Sequence, residues 1–286
     1  MKKKEPVRNV LSFKIISLIN FDRHDHFMGG VITWRPLNAS ISFPIARTQV
    51  LMTTRFFWCA CFNSTCLCLN CNTNEAVVNN YTLNYGGFSA INSISSESIP
   101  IDGTTNCCDF NETDNWSLGS RVEVLDMATL GDYTGSYSTC CWVSSNTYAF
   151  SSGWSMMFKI NLSQRNDTGR INSSPECNIR PYIKYNQACK PFKIPVSDVD
   201  GDVIKCRCSN GVCLAHVILD EEKCLLTFDP AFPGDYQMEI LVEDFPNNMT
   251  NISLSTVPVS FIVSFATTSK VFIGCKKNEE GPFFKN

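Results

Sequence analysis

Carboxylates at alternate positions about one glycine can gather the oxygen ligands of a calcium ion. The stretch "IPVSDVDGDVIKCRCS", residues 194–209, places Asp198, Asp200 and Asp202 around Gly201 in this way. Read as an EF-hand loop from Asp198 it fails: the sixth position is Val203 where the turn needs glycine, and the twelfth is Ser209 where the ion needs a bidentate glutamate. The residues that follow alternate as a strand does, with Ile204, Cys206 and Cys208 on one face and Val203, Lys205 and Arg207 on the other. Two readings stand. One is a calcium site; the other is an Asp200–Gly201 hairpin turn in which Asp198 and Asp202 accept backbone N–H bonds.

Other chemistry is sparsely supplied. The three histidines are His24, His26 and His216. "HDH" offers two metal ligands, but in a terminal stretch of the kind that is usually solvated, and His216 sits in the apolar "CLAHVIL" as a packed histidine would. No Gly-x-Ser-x-Gly, His-Glu-x-x-His or phosphate-binding glycine loop occurs. Carboxylate pairs of the glycosidase kind can be distant in sequence, so a secreted hydrolase with an unidentified site is kept as an alternative.

Cysteine is the abundant reactive residue, with 16 in 286 positions. "CACFNSTCLCLNC" holds Cys59, Cys61, Cys66, Cys68 and Cys71, a density that suits either disulfides or a soft-metal thiolate knot. The sequons decide between the two compartments. Asn38, Asn63, Asn80, Asn111, Asn115, Asn161, Asn166, Asn172, Asn248 and Asn251 each begin Asn-x-Ser/Thr, and Asn63 lies inside the cysteine run itself. Glycan acceptance means an oxidising pathway, so disulfides are expected. The pairs Cys107–Cys108 and Cys140–Cys141 are adjacent, which disfavours bonding within each pair. If Cys177 counts with the first half and Cys275 with Cys189, Cys206, Cys208, Cys213 and Cys224, each half holds an even number. Connectivity cannot be deduced from spacing.

A net charge of −3, with 18% charged residues and 44% hydrophobic ones, describes a globular protein with no field for a polyanion, so nucleic acid is not an expected partner. Residues 1–20 have a basic start and an apolar stretch from Val10 to Ile19, interrupted by Lys14 and followed by no small-residue cleavage site. Residues 1–25 therefore read as a signal peptide or disordered leader. No apolar run reaches 18 residues, so no transmembrane segment is expected in this chain.

The elements that must hold these groups are strands. Period-two alternation runs through Trp154, Met156, Phe158 and Ile160, through Tyr236, Met238, Ile240 and Val242, and through Val257, Val259, Phe261, Val263 and Phe265. Ile32 and Trp34 in "GGVITWRP" suggest a fourth strand, and nothing has a helical period. The fold class is all-β, as two β-sandwich-like domains. "RNDTGRINSSPEC", residues 165–177, marks the boundary by its turn residues. A cysteine-rich domain is expected over 26–170, an immunoglobulin-like sandwich over 178–266 and a loose tail over 267–286.

The D-x-D-G-D stretch, with "PGDYQMEILVEDF" after it, resembles cadherin-like and dystroglycan-type immunoglobulin-fold modules. In cadherin-type sites carboxylates come from such strand ends, so the resemblance implies an oxygen cage of Asp198, Asp200, Asp202, Glu243 and Asp244. Over His26 to Phe265 the series "HFMGGVITWRPL", "CCDFNETDNWSLG", "SQRNDTGRINSSP", "IPVSDVDGDVIKCRCS", "PGDYQMEILVEDFP" and "LSTVPVSFIVSF" resembles an uncharacterised cysteine-rich secreted or cell-surface ectodomain family of aquatic animals. Two departures stand out: Cys208 where the family usually has tryptophan, and a denser cysteine run. The resemblance implies a secreted or cell-surface, non-catalytic recognition or adhesion module that binds an extracellular protein or glycan. A calcium-dependent adhesion domain is the near alternative. No cofactor other than calcium is implied.

Overall fold

The computed structural model describes residues 27–265 apart from 41–45, 60, 63–64, 67–87, 112, 141, 144–152, 186–189, 210, 212, 215, 229–232 and 247–251. Strands and turns make up the described residues, with no helix among them, and so no helix long and apolar enough to cross a membrane. The first segment contains β1 (Phe27–Pro36), β2 (Arg47–Cys59), β3 (Cys61–Phe62), β4 (Thr65–Cys66), β5 (Phe88–Asn92), β6 (Ser98–Ile101), β7 (Asn106–Asn111), β8 (Trp116–Ala128), β9 (Asp132–Cys140) and β10 (Gly153–Asn161). The second contains β11 (Glu176–Cys177), β12 (Tyr182–Tyr185), β13 (Phe192–Lys193), β14 (Val196–Ser197), β15 (Val203–Cys208), β16 (Val217–Asp220), β17 (Leu225–Phe228), β18 (Gly234–Phe245) and β19 (Ser255–Phe265).

Alternation does its expected work in the first segment. On β10 the residues Trp154, Met156, Phe158 and Ile160 turn inward while Ser155 and Met157 stay exposed. The inward faces of the strands ordered β6-β5-β9-β10-β19-β1-β2-β8-β7 close round one aromatic core, where the rings of Phe27 and Trp154 stack at 3.9 Å and Phe56 meets Tyr137 at 5.1 Å. Backbone pairing does not complete the closure, because β7 pairs β8 only as far as Ser120. Beyond that point side chains reach across to the β6 side, from β8 with Arg121 on Asp102 at 3.0 Å and from β2 with Arg47 on Glu97 at 2.8 Å.

The two segments share one strand. β19 pairs along one edge with β18, from Ser255 opposite Asp244 to Phe265 opposite Gly234. Its other edge passes from β10 at Thr256 to β1 at Val259 and Ser260, and then to β12, in parallel, from Ile262 to Phe265. Alternation alone predicts half-buried strands here, yet β18 and β19 are covered on both sides. Val257, Val259, Phe261 and Val263 face a second core with Leu226, Phe228 and Ile194, while Ile262 packs with Met28, Phe57 and Trp116 of the first segment. Gln237 follows the same logic, its buried amide donating to the Val143 carbonyl at 2.8 Å. The turn-rich stretch 165–177 is therefore not a break in the sheet, which runs through both segments.

In the second segment β15, β18 and β19 form one layer and β13, β17 and β16 the facing one. The Cys206–Cys224 disulfide joins them across 18 residues, and Cys208–Cys213 closes 5 residues at the end of β15. Chain entropy predicts that removing the first bridge as the double alanine variant lowers stability by about 3 kcal/mol, and the second by about 2 kcal/mol. Denaturant midpoints should keep that order.

Candidate functional site

The loop 198–202 leaves β14, which pairs β11, and enters β15, which pairs β18. The expected Asp200–Gly201 hairpin is therefore an arch between two sheets, because the strands it joins are not partners. Gly201 takes φ +79°, and the Oδ1 of Asp198 accepts the N–H groups of Asp200 and Asp202 at 2.8 and 3.1 Å, the local capping expected of it. One carboxylate oxygen from each of Asp198, Asp200 and Asp202 lies within 4.8 Å of the others.

So dense a negative charge needs a counter-charge, and Arg165 supplies it. This side chain, only 4% exposed, comes from the turn after β10 and donates to both oxygens of Asp202, each at 2.5 Å. It also donates to both oxygens of Asp167, at 3.0 and 2.7 Å, and to the Asn172 Oδ1 at 2.9 Å, so all five guanidinium N–H groups are used. Burial opposes the charge of Arg165, but its bonds to Asp167 and Asp202 outweigh burial and hold its pKa above the ordinary arginine value. Ser173 donates its N–H to Asp200 at 2.7 Å. Asn172 carries the network on, its Nδ2 donating to the Asp244 Oδ2 at 2.6 Å, while Ser255 donates its N–H and its hydroxyl to the Asp244 Oδ1 at 2.7 Å each.

Asp198, Asp200, Asp202 and Asp244 thus belong to one connected cluster and Glu243 does not. Neighbouring residues on a strand point to opposite faces, and Glu243 pairs with Arg207 at 2.8 and 3.0 Å on the other side of β18. Calcium takes six to eight oxygens. Both oxygens of Asp202 go to Arg165, those of Asp244 go to Asn172 and Ser255, and Glu243 is elsewhere, which leaves one oxygen each on Asp198 and Asp200. The five-carboxylate cage is not assembled, because Glu243 faces away from the other four. Millimolar calcium should leave the melting temperature unchanged in scanning calorimetry; a rise of several degrees would show that the cage forms.

Burial pushes the Asp244 carboxyl up to about 6, against its hydrogen bonds from Asn172 and Ser255, and burial also raises Asp198. With the folded value above the ordinary aspartate value of about 3.9, the proton on Asp244 favours the folded state. That contribution, about 3 kcal/mol, is complete below about pH 4 and is lost as pH rises through about 6. Carboxyl carbon NMR should show a titration midpoint near pH 6 that vanishes in Asp244→Asn; a midpoint near 4 would overturn the assignment.

Arg165 and Asn172 escape sequence reading because both lie in an aperiodic loop, where an Asn-x-Ser reads as a glycan acceptor. Asn172 is 1% exposed, and its amide nitrogen is committed to Asp244 instead of facing solvent. Asn38 and Asn166 are exposed; Asn111, Asn115 and Asn161 are half-buried; Asn63, Asn80, Asn248 and Asn251 lie outside the described residues. Asn38 and Asn161 each accept the N–H of their own sequon serine, at 3.0 and 2.9 Å. Among the other cysteines, Cys107 is in a disulfide, whereas Cys108 and Cys177 are free thiols, at odds with full pairing. Burial pushes the Cys177 thiol up to about 12, which keeps it protonated and inert. The Cys59 sulfur, buried at the end of β2, accepts the Asn115 amide at 2.9 Å. The side chains of Cys61, Cys66 and Cys140, and all of Cys68, Cys71, Cys141, Cys189, Cys275, His24 and His26, lie outside the described residues.

No family model matches the sequence, and no solved structure matches it. Over 175 residues the chain is 23% identical to integrin beta-like protein C of Dictyostelium discoideum, a stretch that covers 59% of this chain and 8% of that protein.

Proposed function

We propose that this chain is an extracellular recognition module of an adhesion-type protein, one that binds another macromolecule through its surface and performs no reaction. The observation that carries this reading is the likeness to an integrin beta-like protein over 59% of the chain, in an all-β fold stapled by disulfides. The charged cluster supports it, since Arg165 and Asn172 tie Asp202 and Asp244 together in the manner of a brace between segments. The exposed large apolar side chains among the described residues are aliphatic or methionine, Val122, Val124 and Met157 among them, which suits contact with protein better than stacking on sugar rings. Ten sequons fit passage through the secretory pathway.

The test is attachment. The protein, secreted from a eukaryotic host and coated on a surface, should hold cells of its source organism in a dose-dependent way, and soluble protein should compete. Attachment no greater than to the reduced and alkylated protein would sink the reading.

A further inference from the structure

Three edges of the large sheet are blunted. β6 carries Pro100, β7 has a bulge between Cys107 and Asp109, and on β15 the Cys206 N–H donates to the Glu221 carbonyl at 2.9 Å. β12 has none of these devices. It pairs with β19 in parallel along one edge, where Ile262 donates its N–H to the Pro181 carbonyl at 2.8 Å. Backbone groups in a parallel strand alternate in direction, so Ile183 and Tyr185 also turn toward β19 while Tyr182 and Lys184 turn their N–H and C=O groups away from it. Among the described residues those outward groups have no backbone hydrogen-bond partner.

Beside this edge lies a cleft of about 510 Å³, lined by β12, by the outer edge strand β13 and by Asp114 from the turn between β7 and β8. Ile183, Phe192 and Pro195 give it apolar wall, and Arg180, Lys184 and Lys193 give it positive charge. Asp114 pairs with Lys184 at 2.5 Å, so Arg180 and Lys193 have no carboxylate partner among the described residues. An unpaired strand edge, an apolar wall and excess positive charge in one place select an extended peptide whose side chains alternate between apolar and acidic.

We propose that this cleft binds an extended acidic segment of a partner protein by adding it as a strand to β12. The inference deepens the reading of the chain as a recognition module and rests on it. The probe is a fluorescein-labelled decapeptide of alternating valine and glutamate, with the valine–lysine decapeptide as control, followed by fluorescence anisotropy on the whole chain. The glutamate peptide should bind at least tenfold more tightly than the lysine peptide. Lys184→Pro removes an outward N–H that no bond among the described residues uses, so it should weaken binding at least tenfold while Lys184→Ala weakens it less. Arg180→Glu with Lys193→Glu should reverse the preference between the two peptides. Equal binding of both peptides, or unchanged binding by Lys184→Pro and by the double glutamate variant, would overturn the proposal. The assay contains no cells, so its failure would strike the cleft alone, separately from the attachment test.

Discussion

Arg165→Met should lower stability by about 3–5 kcal/mol, because removing one partner of a buried ion pair leaves the other charge uncompensated. Asp202 is the charge left behind: its side chain is 1% exposed and both its oxygens accept from Arg165. The loss spreads further than one pair, since Asp167 and Asn172 lose donors in the same step. In a chain of this length a loss of that size corresponds to a fall in melting temperature of roughly 10 °C. A double-mutant cycle separates the pair from the packing. Arg165→Met with Asp202→Leu removes both charges and should be more stable than either single variant, as buried pairs replaced by apolar residues often are. If Arg165→Met alone costs under 1 kcal/mol, the site is open to water and the brace is not a brace.

This arrangement gives the acidic loop a counter-charge from within the fold. The guanidinium presents five donors in a fixed plane, and the loop from 198 to 202 with Asp167 and Asn172 supplies the acceptors that match them. Three separate stretches meet at this one cation: the turn after β10, the approach to β11, and the arch into β15.

Much of the framework was legible from period alone. The alternations at 154–160, 236–242 and 257–265 are strands, and so is "GGVITWRP". What period does not reveal is the cover on the polar face. Ser260 and Gln237 look like solvent positions, yet they are 3% and 1% exposed because the first segment packs over them. The same limit separates the legible from the hidden part of the charged cluster. Asp198, Asp200 and Asp202 lie on one loop and could be grouped by eye, and the strand period already puts Glu243 and Asp244 on opposite faces. Arg165 and Asn172 are set by tertiary contact across 37 and 72 positions, to Asp202 and Asp244, which no local pattern carries.

Gly29→Ala tests the shared strand directly and should cost on the order of 4 kcal/mol, a loss that calls for a specific structural cause. Gly29 has φ +136°, and a Cβ placed on it would lie 2.0 Å from the carbonyl oxygen of Ser260, so the backbones of β1 and β19 would have to part. Gly201 provides the control. It also has a positive φ, +79°, but nothing lies within 4 Å of its Cβ position, so Gly201→Ala should show the left-handed conformation alone, about 1–2 kcal/mol. The excess at Gly29 measures how closely the two strands approach. Because β19 pairs with β1, β10, β12 and β18, hydrogen exchange should speed up in both segments of the Gly29→Ala variant, in β10 as well as in β18. Faster exchange confined to β1, or a cost equal to that at Gly201, would mean that the two segments stand apart and that β19 is not their common element.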